Sequence, residues 1–434
     1  MRWGLREKSK VKSEKSKKYF TFHLSLFTPL PHFSLLIFYF LLLNSPMLQF
    51  GIDHLLQLNP SWKQSRIGMI TNEAAKTCDG IASRKALVEN GFHITLLFSP
   101  EHGLDVKGAD GHAMSDGTDI LTGLPVISLY GERLAPDAAH LEKIDILLFD
   151  VPDVGSRFYT YLWTLTHVME AAAKFQKPLI ILDRPNPISG ILELAEGPFL
   201  DETNSSFIGR WEMPIRHSLT LGELALYFND VKKIGAKLEI MHCKGWNREQ
   251  FQPEWKLPFV PTSPAIQSFE SMLLYPGLCL LEATNLSEGR GTPYSFTAMG
   301  APWLHAERVA NMLNDISGGE FSAHAITFTP EHSKYKNQLC QAVRLEVHDR
   351  ISFRPVLTGL IAIQLIKTLH PEQFAWDIYP TSVNPTGKNH LDKLTGITNS
   401  QQLFDLPFAA FITAITKHTN ARAWKEMVRA AIIY

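Results

Sequence analysis

Short apolar runs recur between residues 66 and 183, and their alternation with helical stretches is the feature that most constrains the fold. The runs are continuously apolar, as expected for strands buried on both faces of a sheet. Stretches with helical character, such as 82–91 and 157–176, lie between them. This alternation predicts βαβ units and a mostly parallel sheet. The runs are 66–72, 93–99, 124–130, 143–151 and 178–183.

The rhythm changes after about residue 207, where a second, α+β domain is predicted. Thr220 and Glu223 have capping-box spacing at the start of a helix over 218–231. Proline and glycine then become frequent, and 253–265 is typical of a long surface segment or lid. Further predicted elements are strands over 236–246 and 342–349 and a helix over 355–370.

We therefore expect an α/β protein with three parts. These are an N-terminal extension or signal-like segment over 1–46, a mostly parallel sheet domain over 47–207, and a smaller auxiliary α+β domain over 208–434. The length of 434 residues is ample for two packed cores.

The first 46 residues differ from the rest, because a basic stretch precedes the apolar run Leu35–Leu43. This run is too short to span a bilayer, which takes about 20 residues, but basic start plus apolar run is the layout of a secretory signal. No small-residue cleavage site follows, and Pro46 is unfavourable next to one. The alternative is a chain that starts at Met47. If residues 1–46 are an export signal, we expect a periplasmic or secreted protein of the cell envelope. If the chain starts at Met47, we expect a cytoplasmic protein.

Several function classes lose support from composition and motifs. The net charge of −1 gives no indication of nucleic-acid binding. The four cysteines form no C-x-x-C pair. The chain also lacks the glycine-rich dinucleotide and P-loop motifs, the H-E-x-x-H zinc motif and the G-x-S-x-G nucleophile elbow. We expect no cofactor, and the sequence does not predict an oligomeric state.

Polar residues follow three of the predicted strands. Ligands of open parallel sheets bind at the carboxyl ends of the strands, so a cleft there would collect these side chains. Each one could instead cap a helix or fix a turn. Paired carboxylates in a cleft are the equipment of glycoside hydrolysis. The residues are Glu101 and His102 after the second run, Asp150 and Asp153 after the fourth, and Asp183, Arg184 and Asn186 after the fifth.

A second polar cluster lies in the later domain, in "LLEATNLSEGRGTPYSF" over 280–296. The guanidinium of Arg290 is a planar fork suited to a carboxylate. A solvated loop is the alternative. The acidic and amide members of the cluster are Glu282, Asn285 and Glu288.

The segments "FSPEHGL", "TGLPVISLYG", "FDVPDVGSRFYTY", "DRPNPI", "EGPFL", "PIRHSLTLGELA" and "YPGLCLLEATNLSEGRGT" resemble, in the same order, the exo-β-N-acetylmuramidase family of NamZ type, also called DUF1343. The resemblance covers about residues 48–434. It implies a Rossmann-like domain and an auxiliary domain with the active site in the cleft between them. It also implies release of N-acetylmuramic acid from the non-reducing end of peptidoglycan fragments, as in cell-wall turnover.

The resemblance implies roles for individual residues. Glu101 in "PEHG" is the first candidate for the catalytic acid, with Asp150 and Asp153 as further catalytic candidates. Three departures affect substrate details: Asp105 replaces a usual basic residue, Pro152 a usual glutamine, and 261–271 lacks an asparagine-rich stretch. The expected substrate-binding residues are His102, Tyr159, Asp183, Arg184, Asn186, Glu282, Asn285, Glu288 and Arg290.

Two other functions stay open at this level. A metal-dependent hydrolase could use Glu101, His102, His112 and Asp150, whose side chains suit zinc or manganese, although we assign no metal site. A non-catalytic protein that binds cell-wall sugars is the second. The expected partners are muramyl saccharides derived from peptidoglycan, without nucleic acid.

Overall fold

The computed structural model describes residues 47–434, which form one compact unit. The predictions for residues 1–46 lie outside the described part of the chain. Among the residues described, no helix is both long and apolar enough to cross a membrane.

A seven-stranded sheet forms the centre of the larger lobe, in the order β3-β4-β2-β1-β5-β6-β7. All neighbouring strands are parallel except β3, which is antiparallel to β4. This confirms the predicted mostly parallel sheet. The strands are β1 (Ile67–Thr71), β2 (Ile94–Ser99), β3 (Gly117–Thr118), β4 (Pro125–Ser128), β5 (Ile146–Asp150), β6 (Leu179–Leu182) and β7 (Leu238–Met241).

The central strands are apolar because helices cover both of their faces. Every residue of β1, β5 and β6 is buried, which explains why these runs show no polar alternation. In the sheet, β1 lies between β2 and β5. The strands that follow β1 in sequence are first added on the β2 side, and the chain then crosses to the other side of β1 to add β5, β6 and β7. The carboxyl ends of β1 and β5 therefore form the topological switch point at which ligands of such sheets bind.

The four helices predicted over 82–91, 157–176, 218–231 and 355–370 are present, with one shifted start. The long helix predicted over 157–176 begins only at Tyr161, because the backbone N–H of Arg157 donates to Ile215 and not to a helical turn. The helices are α1 (Gly51–Leu56), α2 (Ser83–Glu89), α3 (Ala138–Leu141), α4 (Tyr161–Lys174), α5 (Leu221–Val231), α6 (Phe269–Leu278), α7 (Ala306–Ile316), α8 (Pro355–Leu369), α9 (His390–Thr395), α10 (Phe408–Thr419) and α11 (Arg422–Met427).

The smaller lobe contains an antiparallel sheet of three strands in the order β8-β10-β9. Helices α6 and α8 of this lobe pack closely against each other, since Gly277 and Gly359 meet where a Cβ on either would collide with the other helix. Helix α7 packs on the sheet. The predicted α/β architecture with a smaller α+β part is confirmed. Strand β7 joins the large sheet, and the boundary at 207/208 stays a prediction. The strands are β8 (Ala298–Ala301), β9 (Phe321–Phe328) and β10 (Cys340–Val347).

Candidate active site

Glu101 lies immediately beyond β2 and is held from two sides. Its Oε1 accepts a hydrogen bond of 2.8 Å from the backbone N–H of Gly111. Its Oε2 accepts one of 2.7 Å from the hydroxyl of Thr160, the residue before α4. Only 6% of Glu101 is exposed. The acid that ends this apolar strand is therefore fixed between the sheet edge and a helix start.

The segment from His102 to Gly111 folds back over Glu101. His102 has a φ of +67°, in the left-handed region that few side chains adopt. Its Nδ1–H donates to the carbonyl of Gly108 at 2.9 Å. The other ring nitrogen, Nε2, faces Oδ1 of Asp110 at 3.7 Å. The turn thus presents an imidazole and a carboxylate beside Glu101.

Arg290 is the central cation of the smaller lobe's contribution, and three carboxylates surround it. Its Nη2 donates to Oε1 of Glu282 at 2.7 Å, and its Nε lies 3.0 Å from Oε1 of Glu288. Its Nη1 donates to Asp110, which belongs to the larger lobe. The guanidinium also lies over the ring of Phe296. The buried charge of Arg290 is therefore fully compensated inside the protein.

Glu282 connects this cation to His390. The Nε2 of His390 lies 3.3 Å from Oε2 of Glu282, and its ring stacks on Tyr379 at 4.7 Å between centroids. Burial alone would raise the pKa of Glu282. The hydrogen bond from His390 and the charge of Arg290 outweigh burial and lower this pKa to about 2. Glu282 is therefore ionised throughout the neutral pH range.

These groups line one cavity, which we call the charged pocket. It has a volume of about 70 Å³. Contacts between the lobes cover it, since Ser382 donates its N–H to the carbonyl of Gly111 and its hydroxyl accepts from Ala113. The polar residues that line it are Glu101, His102, Asp110, Tyr130, Tyr159, Thr160, Ser263, Glu282, Arg290, Tyr379, Thr381 and His390.

The other two candidate catalytic acids lie outside the charged pocket's lining. Asp150 is fully buried, and the guanidinium of Arg184 donates to both of its oxygens, at 2.6 and 3.1 Å. Asp153 accepts from Nε2–H of His217 at 3.1 Å, and it lines a separate cavity together with Arg184. Their catalytic roles stay predictions.

Three of the expected substrate-binding residues are occupied by internal hydrogen bonds. Asp183 accepts from Thr220, Gly222 and Tyr434, and burial raises its pKa to about 6. Asn186 and Asn285 each bond backbone groups through both their amide nitrogen and their oxygen. This geometry places them in the framework around the cleft, and their substrate contacts remain untested.

Tyr159 and Glu288 lie closer to the charged pocket. The hydroxyl of Tyr159 donates to the carbonyl of Thr262 at 2.9 Å, while the ring lines the pocket. Glu288 is almost fully buried behind Arg290, and Lys334 lies 3.5 Å from its second oxygen. Of the proposed metal ligands, His112 bonds its own loop through Nδ1. Over residues 47–434, no group of three or more His, Cys, Asp or Glu side chains is arranged to hold a metal ion.

Sequence reasoning missed several members of the pocket. Thr160 and Tyr130 stand inside the motifs "FYTY" and "LYG", so their position in these motifs was an available signal. Burial, with the charge of Glu101 as a further cause, raises the pKa of Tyr130 and keeps its hydroxyl protonated. Asp110 lies on the turn that follows Glu101, and His390 comes from the other lobe. No local pattern indicates that either one reaches the pocket.

Comparisons with known proteins agree with this geometry. The N-terminal model of the family "Exo-beta-N-acetylmuramidase NamZ" matches residues 67–270, and its C-terminal model matches 273–434. The peptidoglycan β-N-acetylmuramidase NamZ of Bacillus subtilis (strain 168) is 41% identical over 333 residues, which cover 76% of this chain and 80% of that protein.

Two solved structures have the same fold. Both are DUF1343 family proteins from Bacteroides fragilis NCTC 9343. One is 27% identical with a TM-score of 0.78, and the other is 25% identical with a TM-score of 0.68. Each match covers 89% of this chain and 99% of the other. On the family match and the 41% identity, the chain belongs to the exo-β-N-acetylmuramidase NamZ family.

Proposed function

We infer that this protein is an exo-acting glycosidase that releases N-acetylmuramic acid from the non-reducing end of peptidoglycan fragments. The observation that carries the site assignment is the position of Glu101. It is the carboxyl group that ends a strand of the large sheet and lines a pocket whose opposite wall is the Arg290 cluster of the smaller lobe. A glycosidase needs a carboxylic acid beside the scissile bond and polar groups that orient the sugar.

Glu101 serves as the general acid in this proposal. An acid that gives up and regains a proton needs neighbours that tolerate both of its charge states. Thr160 meets this need, because its hydroxyl donates to the carboxylate and can rotate to accept from the carboxylic acid. Gly111 holds the other oxygen through a backbone N–H. The proton therefore resides on Oε2 before its transfer to the leaving oxygen, which leaves Glu101 as a carboxylate.

Arg290 is the group that recognises muramic acid. This sugar differs from N-acetylglucosamine by a lactyl ether with a carboxylate, which a guanidinium can bind through two parallel hydrogen bonds. Glu282 and Glu288 belong to the same loop region as Arg290, whereas Asp110 comes from the other lobe. The substrate carboxylate takes the place of Asp110 on Arg290. Arg184, the other candidate cation, pairs with Asp150 and lines a different cavity from Glu101.

We propose that the segment 102–113 moves when the substrate enters. The charged pocket holds about 70 Å³, whereas small-molecule sites usually measure about 300 Å³ or more. Displacement of Asp110 from Arg290 would open it, since the Asp110 contact and the Ser382 contacts are the bonds that cover it.

The substitution Glu101→Gln tests the assignment. It keeps the shape of the side chain and removes the transferable proton, so we expect kcat on a chromogenic muramyl glycoside to fall at least about 100-fold. Unchanged thermal unfolding would show that the variant folds. Near-normal turnover by the folded variant would refute the role of Glu101. Wild-type activity that survives a chelator would argue against the metal-dependent alternative, and any turnover against a purely sugar-binding protein.

We propose the cell envelope as the site of action. The basic start and apolar run of residues 1–46 have the order of an export signal, and polymeric peptidoglycan lies outside the inner membrane. A reporter fused to residues 1–46 should reach the envelope. A reporter retained in the cytoplasm, with translation mapped to Met47, would instead make this protein a processor of imported wall fragments.

A further inference from the structure

The geometry points to a second saccharide site, in a cavity that the assigned chemistry does not use. We call it the aromatic pocket and define it by Phe50, Asp153, Trp255, Phe259 and Thr262. We propose that it binds the neutral N-acetylglucosamine unit on the leaving-group side of the scissile bond. This inference rests on the proposed glycosidase function and extends it to the second sugar.

The aromatic pocket lies where the sheet is built to receive a ligand. Its walls come from the segments that follow β1, β5 and β6, which are the strands around the topological switch point. Its volume of about 210 Å³ exceeds that of the charged pocket. Prolines 152, 185, 187 and 258 stiffen this lining.

The two pockets share a wall. Thr262 lines the aromatic pocket, whereas the next residue, Ser263, lines the charged pocket. The hydroxyl groups of Tyr159 and Tyr161 both donate to the carbonyl of Thr262, at 2.9 and 2.8 Å. Tyr159 is itself part of the charged pocket. A sugar in one pocket and a sugar in the other would therefore be neighbours along this shared wall, as the two rings of a disaccharide are.

Several residues that line this pocket carry buried polar atoms without hydrogen-bond partners. Oδ1 of Asp153 and Oγ1 of Thr262 have no hydrogen-bond partner among the described residues, although the two residues are only 8% and 3% exposed. The indole Nε1–H of Trp255 has none either. Such atoms cost free energy unless something occupies them. These atoms have almost no accessible surface, so a ligand reaches them when the side chains rotate towards the cavity. They then offer two acceptors and two donors, the groups that sugar hydroxyls and an acetamide require.

The walls select a flat, neutral ligand. Trp255 and Phe50 meet edge to face, 6.1 Å between centroids, and leave aromatic surface on which a sugar ring can stack. The charges of Arg184 and Lys76, which both line the pocket, are matched by Asp150 and by Glu73, the latter at 3.8 Å. Asp79 adds a second carboxylate to the lining. The carboxylate of Asp153 would repel a phosphate or the lactyl carboxylate of muramic acid. N-acetylglucosamine, which alternates with muramic acid in peptidoglycan, carries no such charge.

Activity on two substrates distinguishes the contribution of the aromatic pocket from that of the charged pocket. A β-1,4-linked disaccharide of N-acetylmuramic acid and N-acetylglucosamine fills both pockets, whereas N-acetylmuramyl fluoride has a leaving group too small to reach the second. For Trp255→Ala we expect the ratio of kcat/KM on the disaccharide to that on the fluoride to fall about tenfold, mainly through KM, as for loss of one aromatic contact. Asp153→Asn should shift the ratio in the same direction.

Trp62→Ala is the matched control, because Trp62 packs on Phe92 and lines neither pocket. It should leave the ratio unchanged. N-acetylglucosamine should inhibit the wild type, and Trp255→Ala should raise its inhibition constant about tenfold.

An unchanged ratio would overturn the second site. Equal losses on both substrates by Asp153→Asn would overturn the binding role and place this acid in catalysis. Inhibition by a stem dipeptide of alanine and glutamate, but not by N-acetylglucosamine, would make the aromatic pocket a peptide site. Failure of the wild type on both substrates would instead refute the proposed glycosidase function.

Discussion

The charged pocket and the aromatic pocket lie at the same edge of one sheet, but they satisfy their polar groups differently. In the charged pocket, Arg290 faces three carboxylates, and Glu282 is shared with His390. In the aromatic pocket, atoms of Asp153 and Thr262 lack any partner among the described residues. Nε of Arg290 and Oε2 of Glu288 also lack hydrogen-bond partners among the described residues, but ion pairs hold both groups in place. The unpartnered atoms of the second pocket are left to a ligand. Charge compensation thus distinguishes a preorganised site from a receptive one.

The largest predicted effect comes from a substitution that removes one of the carboxylates around Arg290 in the charged pocket. Glu282→Gln removes a buried carboxylate with a pKa of about 2, against an ordinary value of 4.5. This depression corresponds to about 3 kcal/mol of unfolding free energy at neutral pH. We therefore expect the variant to be less stable by that order in denaturant unfolding at pH 7. Glu239→Gln, on an exposed position of β7, should change stability by less than about 0.5 kcal/mol.

The direction in which this stability difference changes with pH can also be predicted. The folded-state pKa of Glu282 is depressed, so its contribution is present above about pH 4.5, the unfolded value, and is lost as the pH falls towards 2. The stability difference between wild type and Glu282→Gln should therefore shrink on acidification through this window. A difference that stays constant from pH 7 to pH 3 would show that Glu282 acts through packing and not through charge.

A smaller effect separates the two arginines at this edge. Arg290→Lys loses the fork that faces several carboxylates at once. We expect about a tenfold greater loss of kcat/KM on a muramyl than on the corresponding glucosaminyl glycoside. The matched variant Arg184→Lys lies outside the charged pocket and should affect both sugars equally. Equal losses for Arg290→Lys as well would show that Arg290 is purely structural.

The strands and their ends could be predicted from local pattern because they depend on short-range burial. The five apolar runs contain β1, β2, β4, β5 and β6. The capping box was also visible, and Thr220 and Glu223 bond each other's backbone as predicted. The late start of α4 was not visible, because the backbone of Arg157 is held by residue 215, distant in sequence. Helix boundaries of this kind are decided by tertiary contacts.

The site could be predicted only in part. Strand ends correctly indicated that Glu101 faces a crevice, since this follows from sheet geometry alone. They did not indicate that Asp150 and Asp153 lie away from Glu101's cavity, because two pockets share one edge and no sequence pattern divides them. Asp110 and His390 join the pocket across 180 and 108 residues to their partners. Contacts between residues so far apart in the sequence leave no local sequence pattern from which they could be predicted.

The smallest predicted effect tests whether Asp110 occupies the place of the substrate. Asp110 is the one carboxylate on Arg290 that comes from the other lobe, and its side chain is 28% exposed. If it holds the position of the lactyl carboxylate, Asp110→Asn removes a competitor, and KM for the disaccharide should fall about threefold, the size of a partly exposed ion pair. Asp105→Asn, in the same segment but exposed, should leave KM unchanged. A higher KM for Asp110→Asn would show that the Asp110–Arg290 bond closes the pocket over bound substrate and does not compete with it.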